Sequence, residues 1–227
     1  MEPLQILYQD ENLIAINKPH GLLVHQSSIA ADAEHFALQL LRDQIGQRVY
    51  PAHRIDRKTA GVLLFTLDEP TNSLMQQQFM LQEVKKTYHA IVRGYTIENE
   101  IIDYALTNDR GKKQDAITSY RRMQTAELDV PFGSFSTSRY SLVEIIPKTG
   151  RMHQIRKHFG HIFHPIIGDR KYGCNKQNRL FLEKWNHREM LLHAISISFA
   201  HPLSGKEIYI EAPYQSPFKR MMDLMGW

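Results

Sequence analysis

Apolar residues along this chain fall into two rhythms, short runs that alternate or are wholly apolar and longer stretches at helical spacing, and the two are interleaved. LQILYQD (4–10) and LIAINK (13–18), divided by the turn-like DEN, predict two short strands, and PHGLLVH predicts a loop broken by Pro and Gly. In AEHFALQLLRDQIG (33–46), Phe36, Leu40, Leu41 and Ile45 recur at helical spacing and Gly46 stands where a C-terminal cap is expected. The continuous run GVLLFTLD (61–68) predicts a buried strand, and EPTNSLMQQQFMLQE (69–83) a helix with Pro70 in its first turn. KTYHAIVRG (86–94), AITSYRRM (116–123), RYSLVEII (139–146), LLHAISISFA (191–200) and EIYIEA (207–212) predict further strands, LSGKE a hairpin turn, and SPFKRMMDLMGW a terminal helix. No repeat, low-complexity tract or long Gly/Ser/Pro linker marks a boundary. The expectation is one α+β domain over residues 1–227, with a mixed, largely antiparallel sheet flanked by helices.

Composition changes this picture little. Among 227 residues Cys174 is the only cysteine, so no intramolecular disulfide forms. The N-terminus lacks a basic start followed by an apolar run, and no apolar stretch approaches the ~18 residues of a membrane span, which predicts a soluble, cytoplasmic protein with no membrane attachment. A formal charge of +4, a pI near 9.1 and twelve histidines lean toward a polyanionic partner.

Three segments hold candidate chemistry. PAHRIDRKTAG (51–61) sets Asp56 among Arg54, Arg57 and Lys58, with His53 just before. A carboxylate among cations stays ionised even when partly buried and can serve as nucleophile or base; the competing reading is a turn acid held by its neighbours. In KTGRMHQIRKHFGHIFHPIIGD (148–169), a helix starting just after Gly150 puts Met152, Ile155 and Phe159 on a buried stripe, His153 and Arg156 on the adjoining face, and Gly160 at its end. Solvated side chains are the plainer alternative for His153 and Arg156. The four histidines of this segment have neither nearby cysteine nor HExxH spacing, so no metal site is expected. In KKTYHAIVRG (85–94), Tyr88, Ala90 and Val92 share one strand face and His89, Ile91 and Arg93 the other; Tyr88 is either a core aromatic or a base-stacking ring. DRGKKQD (109–115), with Arg121 and Arg122, adds cations able to track a phosphate backbone.

Taken in order, NKPHGLLVH, AHRIDRKTAGVLL, KKTYHAIVRG and KTGRMHQIRKHFGHIFHPIIGDRKYG resemble the RluA-type pseudouridine synthase motifs NKPxGxxVH, HRLDxxTSG, KxYxAxVxG and TGRxHQIRxH followed by HPIxGDxxYG. Ile55, Ala60 and Met152 depart mildly from the usual residues, and none removes a reactive group. ILYQDENLIAINKPHGLLVHQS, RDQIGQ and the terminal MGW look most like the TruC-type tRNA pseudouridine(65) synthases. The resemblance implies the pseudouridine synthase catalytic fold with an active-site cleft across the sheet, and no separate N-terminal RNA-binding module. It implies isomerisation of uridine in RNA, tRNA above all, without cofactor or metal and with no obligate protein partner. By resemblance Asp56 is the nucleophile or base, Arg156 its partner, and Tyr88 stacks on the extruded base and helps deprotonate C5. Lys18, His53, Arg54, Arg57, Lys112, Lys113, Lys148, Arg151, His153 and Lys157 are the expected RNA contacts. The alternatives are a relative acting on ribosomal RNA or on both RNA types, and a catalytically idle RNA-binding module. A base-releasing glycosidase would call on a second carboxylate that no motif supplies.

Overall fold

Strand β2 (Leu13–Lys18) is buried along its whole length, and so is β4 (Ala60–Thr66), so each must be covered on both faces. Side chains alternate across a strand, and the alternation sorts these residues into two cores. Leu13, Ala15, Val62 and Leu64 pack with Met75 of helix α2 (Glu69–Met80) and with Ile197, Phe199, Ile208 and Ile210. Ile14, Ile16, Leu63 and Phe65 pack with Ala37 and Leu41 of helix α1 (Ala37–Ile45). The computed structural model describes residues 3–25 and 35–227; the start of the first expected helix, Ala33 and Glu34, lies outside them.

Elements are numbered along the chain. They fall into two compact units, the first comprising residues 1–86 and 194–214 and the second residues 87–193 and 215–227. The chain leaves the first unit along β5 (Lys85–Arg93) and returns along β11 (Leu192–Ala200). In the first unit β1 (Ile6–Gln9) pairs with β2, β2 with β4, β3 (Tyr50–Pro51) with β4, and β11 with β12 (Glu207–Glu211), all antiparallel. β4 also neighbours β11, and closely: a Cβ on Gly61, whose φ is +107°, would stand 2.1 Å from the carbonyl oxygen of Ala194. Asp68 caps α2 by accepting the Thr71 amide at 2.7 Å.

In the second unit the strand order is β5, β10 (Ser138–Pro147), β9 (Ile117–Leu128), β6 (Asn99–Asp103), again antiparallel throughout. A small separate hairpin, β7 (Leu106–Thr107) with β8 (Lys113–Gln114), follows β6. Helices α3 (Gln154–His161), α4 (Asn175–Trp185) and α5 (Ser216–Leu224) complete the unit. The α+β class and the largely antiparallel pairing agree with the sequence expectation. Among the described residues no helix is long and apolar enough to cross a membrane.

Two details of α3 differ from expectation. It begins at Gln154, because His153 takes a left-handed backbone conformation (φ 56°) and Gln154 folds its side-chain oxygen back onto the Arg151 amide at 3.0 Å. Met152 therefore lies before the helix and is 41% exposed, while Ile155 and Phe159 are buried as expected. Gly160 does not end the helix; it lets the backbone of Tyr172 approach, where a Cβ would meet the Tyr172 carbonyl oxygen at 3.0 Å.

Candidate active site

Asp56 stands half-buried in the loop between β3 and β4, and its neighbour in charge is Lys18, the last residue of β2. By strand parity Lys18 follows Ile14 and Ile16 into the interior, and it is completely buried. Its ammonium donates to the carbonyl oxygens of Pro19 (2.9 Å), Leu22 (2.8 Å) and Arg57 (3.2 Å). Those acceptors belong to the turn after β2 and to the Asp56 loop. The two segments are joined further by Gly21 N–H to the Arg57 carbonyl at 2.9 Å and Arg57 Nε to the Gly21 carbonyl at 3.0 Å. Burial pulls the Lys18 ammonium down to about 7, and the charge of Asp56 opposes that drop. Lys18 is thus a tie beneath the Asp56 loop, not the phosphate contact expected from the sequence.

His53 is half-buried and also engaged within the fold. Its Nε2 accepts the Leu64 amide at 3.1 Å and its ring stacks on Phe79 at 5.2 Å. Burial, aided by the nearby Lys86 charge, pushes its pKa down to about 3, so the imidazole is neutral and offers phosphate no charge. Arg54 and Arg57 are exposed, although Arg57 is partly engaged by Gly21.

Loss of the Lys18 proton has a sign that can be measured. The unfolded chain keeps this proton to about pH 10.5, whereas the folded one sheds it near pH 7, so folding stability rises with pH between those values. Urea unfolding of the parent protein is expected to show that rise, up to about 1.4 kcal/mol per pH unit from this residue. Lys18→Met should remove it; an equal slope in both proteins would mean that Lys18 is not desolvated.

In the second unit the organising pair is Arg156 and Asp169. Both are buried, with Arg156 Nε 2.8 Å from Asp169 Oδ2 and the NH2 nitrogen 2.9 Å from Oδ1. Burial works against the Asp169 charge, yet the Arg156 hydrogen bonds and charge, with the amides of Lys171 and Tyr172, hold its carboxyl below the usual range. The sequence left Arg156 on an outer face of α3; the structure buries it against an acid thirteen residues on. Asp169 engages two of the five guanidinium N–H groups, a bidentate grip that fixes the plane and aim of the fork. The Tyr172 ring supports the same guanidinium at 5.1 Å and its hydroxyl lies 3.0 Å from His153 Nδ1. Asp169 and Tyr172 were visible in the sequence only as part of a motif, because nothing in periodicity tells an acid in a turn that its partner is a helix arginine.

The other expected residues are spread. His158 lies between the Thr118 hydroxyl (2.9 Å) and the Tyr104 carbonyl (3.0 Å), and burial pushes its pKa below the usual imidazole value; His161 stacks on Tyr104, and His164 bonds to the Arg93 carbonyl at 2.8 Å. The four histidines therefore do not converge on one point: His153 bonds to Tyr172, His158 and His161 both engage Tyr104, and His164 bonds to Arg93. Lys157 reaches the Thr107 carbonyl at 3.3 Å and Arg151 the Asp115 carbonyl at 2.9 Å, tying the region of the β7–β8 hairpin to α3. Lys112, Lys113 and Lys148 are exposed. Arg121 instead pairs with Glu144 at 3.3 Å and Arg122 bonds to the Thr96 carbonyl, so those two cations serve the sheet. Tyr88, in β5 opposite Ile145 of β10, is 9% exposed.

This pattern of a tied Asp56 loop and a gripped Arg156 lies largely within residues 12–161, which match the family model described as RNA pseudouridylate synthase. The chain belongs to that family. The synthase is thus an isomerase acting on RNA. It is 43% identical to tRNA pseudouridine synthase C of Salmonella typhi, over 99% of this chain and 90% of the relative. It is equally similar, 43%, to tRNA pseudouridine synthase C of Haemophilus influenzae, over 99% of this chain and 98% of that protein. Among solved structures, the human protein RNA Pseudouridylate Synthase Domain Containing 4 superposes with a TM-score of 0.74 at 24% identity, covering 98% of the synthase and 93% of the human chain. That likeness supports the fold.

Proposed function

We propose that the protein isomerises one uridine of tRNA, at position 65 in the usual tRNA count, to pseudouridine. The observation that carries the reading is similarity along 99% of the chain to tRNA pseudouridine synthase C proteins, which includes every segment that positions Asp56, Tyr88 and Arg156. The N1–C1′ bond of the nucleotide breaks, the uracil turns, C5 joins C1′, the C5 proton leaves to water and N1 takes up a proton from water. The net composition is unchanged and no redox step occurs, so the side chains need supply only nucleophilic or base chemistry, charge and orientation.

Asp56 acts as nucleophile or base, for which it must be ionised. The ties from Lys18 and Gly21 to Arg57 hold the loop against drift. Arg156, with its plane set by Asp169 and Tyr172, supplies an aimed cation to the same reaction. Tyr88 stacks on the extruded base, whose removal from a helix costs a few kcal/mol. Arg54, Arg57, Lys112, Lys113, Lys148, Arg151, His153 and Lys157 are assigned to the RNA backbone, in the cytoplasm where tRNA matures.

The test is tRNA tritiated at uracil C5. The expected result is release of one uracil's label per tRNA without added cofactor, with pseudouridine mapping to a single position. Release from ribosomal RNA and not from tRNA would overturn the substrate, and free uracil without pseudouridine would overturn the reaction. Tyr88→Phe is expected to bind tRNA within about three-fold of the parent and to turn over at least about ten-fold more slowly; near-normal turnover would confine Tyr88 to stacking.

A further inference from the structure

Helix α3 ends in a Schellman motif: the Phe163 amide donates to the Gly160 carbonyl at 3.2 Å and the His164 amide to the Phe159 carbonyl at 3.0 Å. That motif sets Phe163 in the left-handed region, φ 62°, the position that glycine or asparagine ordinarily fills. A bulky side chain there is a conformational outlier, and this one gains no burial in return, since Phe163 is 86% exposed. The strain is locked from both sides. Phe159 is fully buried at the helix end, while His164 Nδ1 donates to the Arg93 carbonyl and the Arg93 amide to the Pro165 carbonyl at 3.1 Å, fixing the residues that follow to β5.

The surroundings favour one kind of partner. Along the chain no carboxylate occurs between Glu144 and Asp169, a span that holds Lys148, Arg151, Arg156 and Lys157 and four histidines; Asp103, whose charge reaches His158, is an acid near α3 from another element. The Arg93 guanidinium, next to the His164 tie, lies over the Phe132 ring at 5.3 Å. Cations interleaved with aromatic rings grip nucleic acid through backbone charge and base faces together. At the C-terminal end of a helix the carbonyl dipoles repel phosphate, whereas a base ring is neutral and meets no such penalty.

Resting on the RNA-modifying role set out above, we propose that the Phe163 ring is a stacking platform for a nucleobase of the bound tRNA other than the reacting uridine. The sequence-tolerant aromatic contact fixes the RNA on the second unit at the expense of local backbone strain.

Phe163→Gly separates the two sides of this trade. It should raise Tm by about 2–4 °C by relieving the left-handed strain, and raise KM and Kd for tRNA at least about five-fold, with kcat within two-fold. Because a stacked base carries no charge, the slope of log Kd against log salt should match the parent, while Phe163→Trp should keep parental affinity. Unchanged tRNA affinity in Phe163→Gly, alongside normal parental turnover, would overturn the platform and leave the enzyme assignment standing. A parent that neither binds nor modifies tRNA would overturn the role on which it rests. A parental dimer that Phe163→Gly converts to monomer, at constant RNA affinity, would assign the ring to a protein interface and overturn the proposal.

Discussion

Asp56→Asn releases no C5 label above background: its turnover on tRNA is expected to fall at least about 10³-fold, because the amide can act neither as nucleophile nor as base. The substitution is nearly isosteric and the side chain is half-buried, so the loop should keep its place, held by the Lys18 and Gly21 bonds to Arg57 and by the Thr59 amide on the Asp56 carbonyl. Affinity for tRNA should stay within about three-fold, since phosphate contacts dominate binding. One secondary effect has a definite direction. The Asp56 charge supports the Lys18 proton, so removing it lowers the Lys18 pKa further below its ordinary value. Turnover within ten-fold of the parent, in protein freed of host synthases, would refute the assignment of Asp56.

The second large effect concerns stability. Asp169→Asn deprives a buried guanidinium of its counter-charge and of one arm of a bidentate grip, and is expected to cost about 3–5 kcal/mol in urea unfolding. Replacing both partners, as Arg156→Met with Asp169→Leu, should recover most of that loss because an apolar pair needs no compensation in the interior. Activity should not return with the fold. A stable double variant that still released the label at the parental rate would show the pair to be structural alone, and a stable Asp169→Asn protein would show the guanidinium to be better solvated than its burial implies.

Strands β2 and β4, helix α2 with Pro70 in its first turn, and the α1 cap at Gly46 were legible because each satisfies a local rule: continuous burial, a helix-start signal or a capping residue. Strand β6 was not, since it lies at one end of its sheet and Ile102 alone is buried among its five residues, too little for alternation to register. Helix α4 escaped because NKQNRLFLEKW buries only Gln177 and Phe181. At the candidate site, motif order pointed to Asp56, Tyr88 and Arg156, but their structural partners were beyond its reach. Lys18 reads as a surface cation until strand parity turns it inward, and Arg156 reads as solvated until the turn carrying Asp169 folds against it.

The discontinuity of the first unit has a consequence for synthesis on the ribosome. Leu13, Ala15, Val62 and Leu64 emerge early, yet the late strands that cover them bring Ile197, Phe199, Ile208 and Ile210 only after the second unit's main segment has been made. At about 5–20 residues per second the interval from Lys86 to Ala212 is roughly 6–25 s, during which that apolar sheet face waits without its native cover. A nascent chain stalled in this window is a substrate for chaperones and a seed for aggregation, and its vulnerability follows from strand order in the gene and not from any weakness of the finished protein.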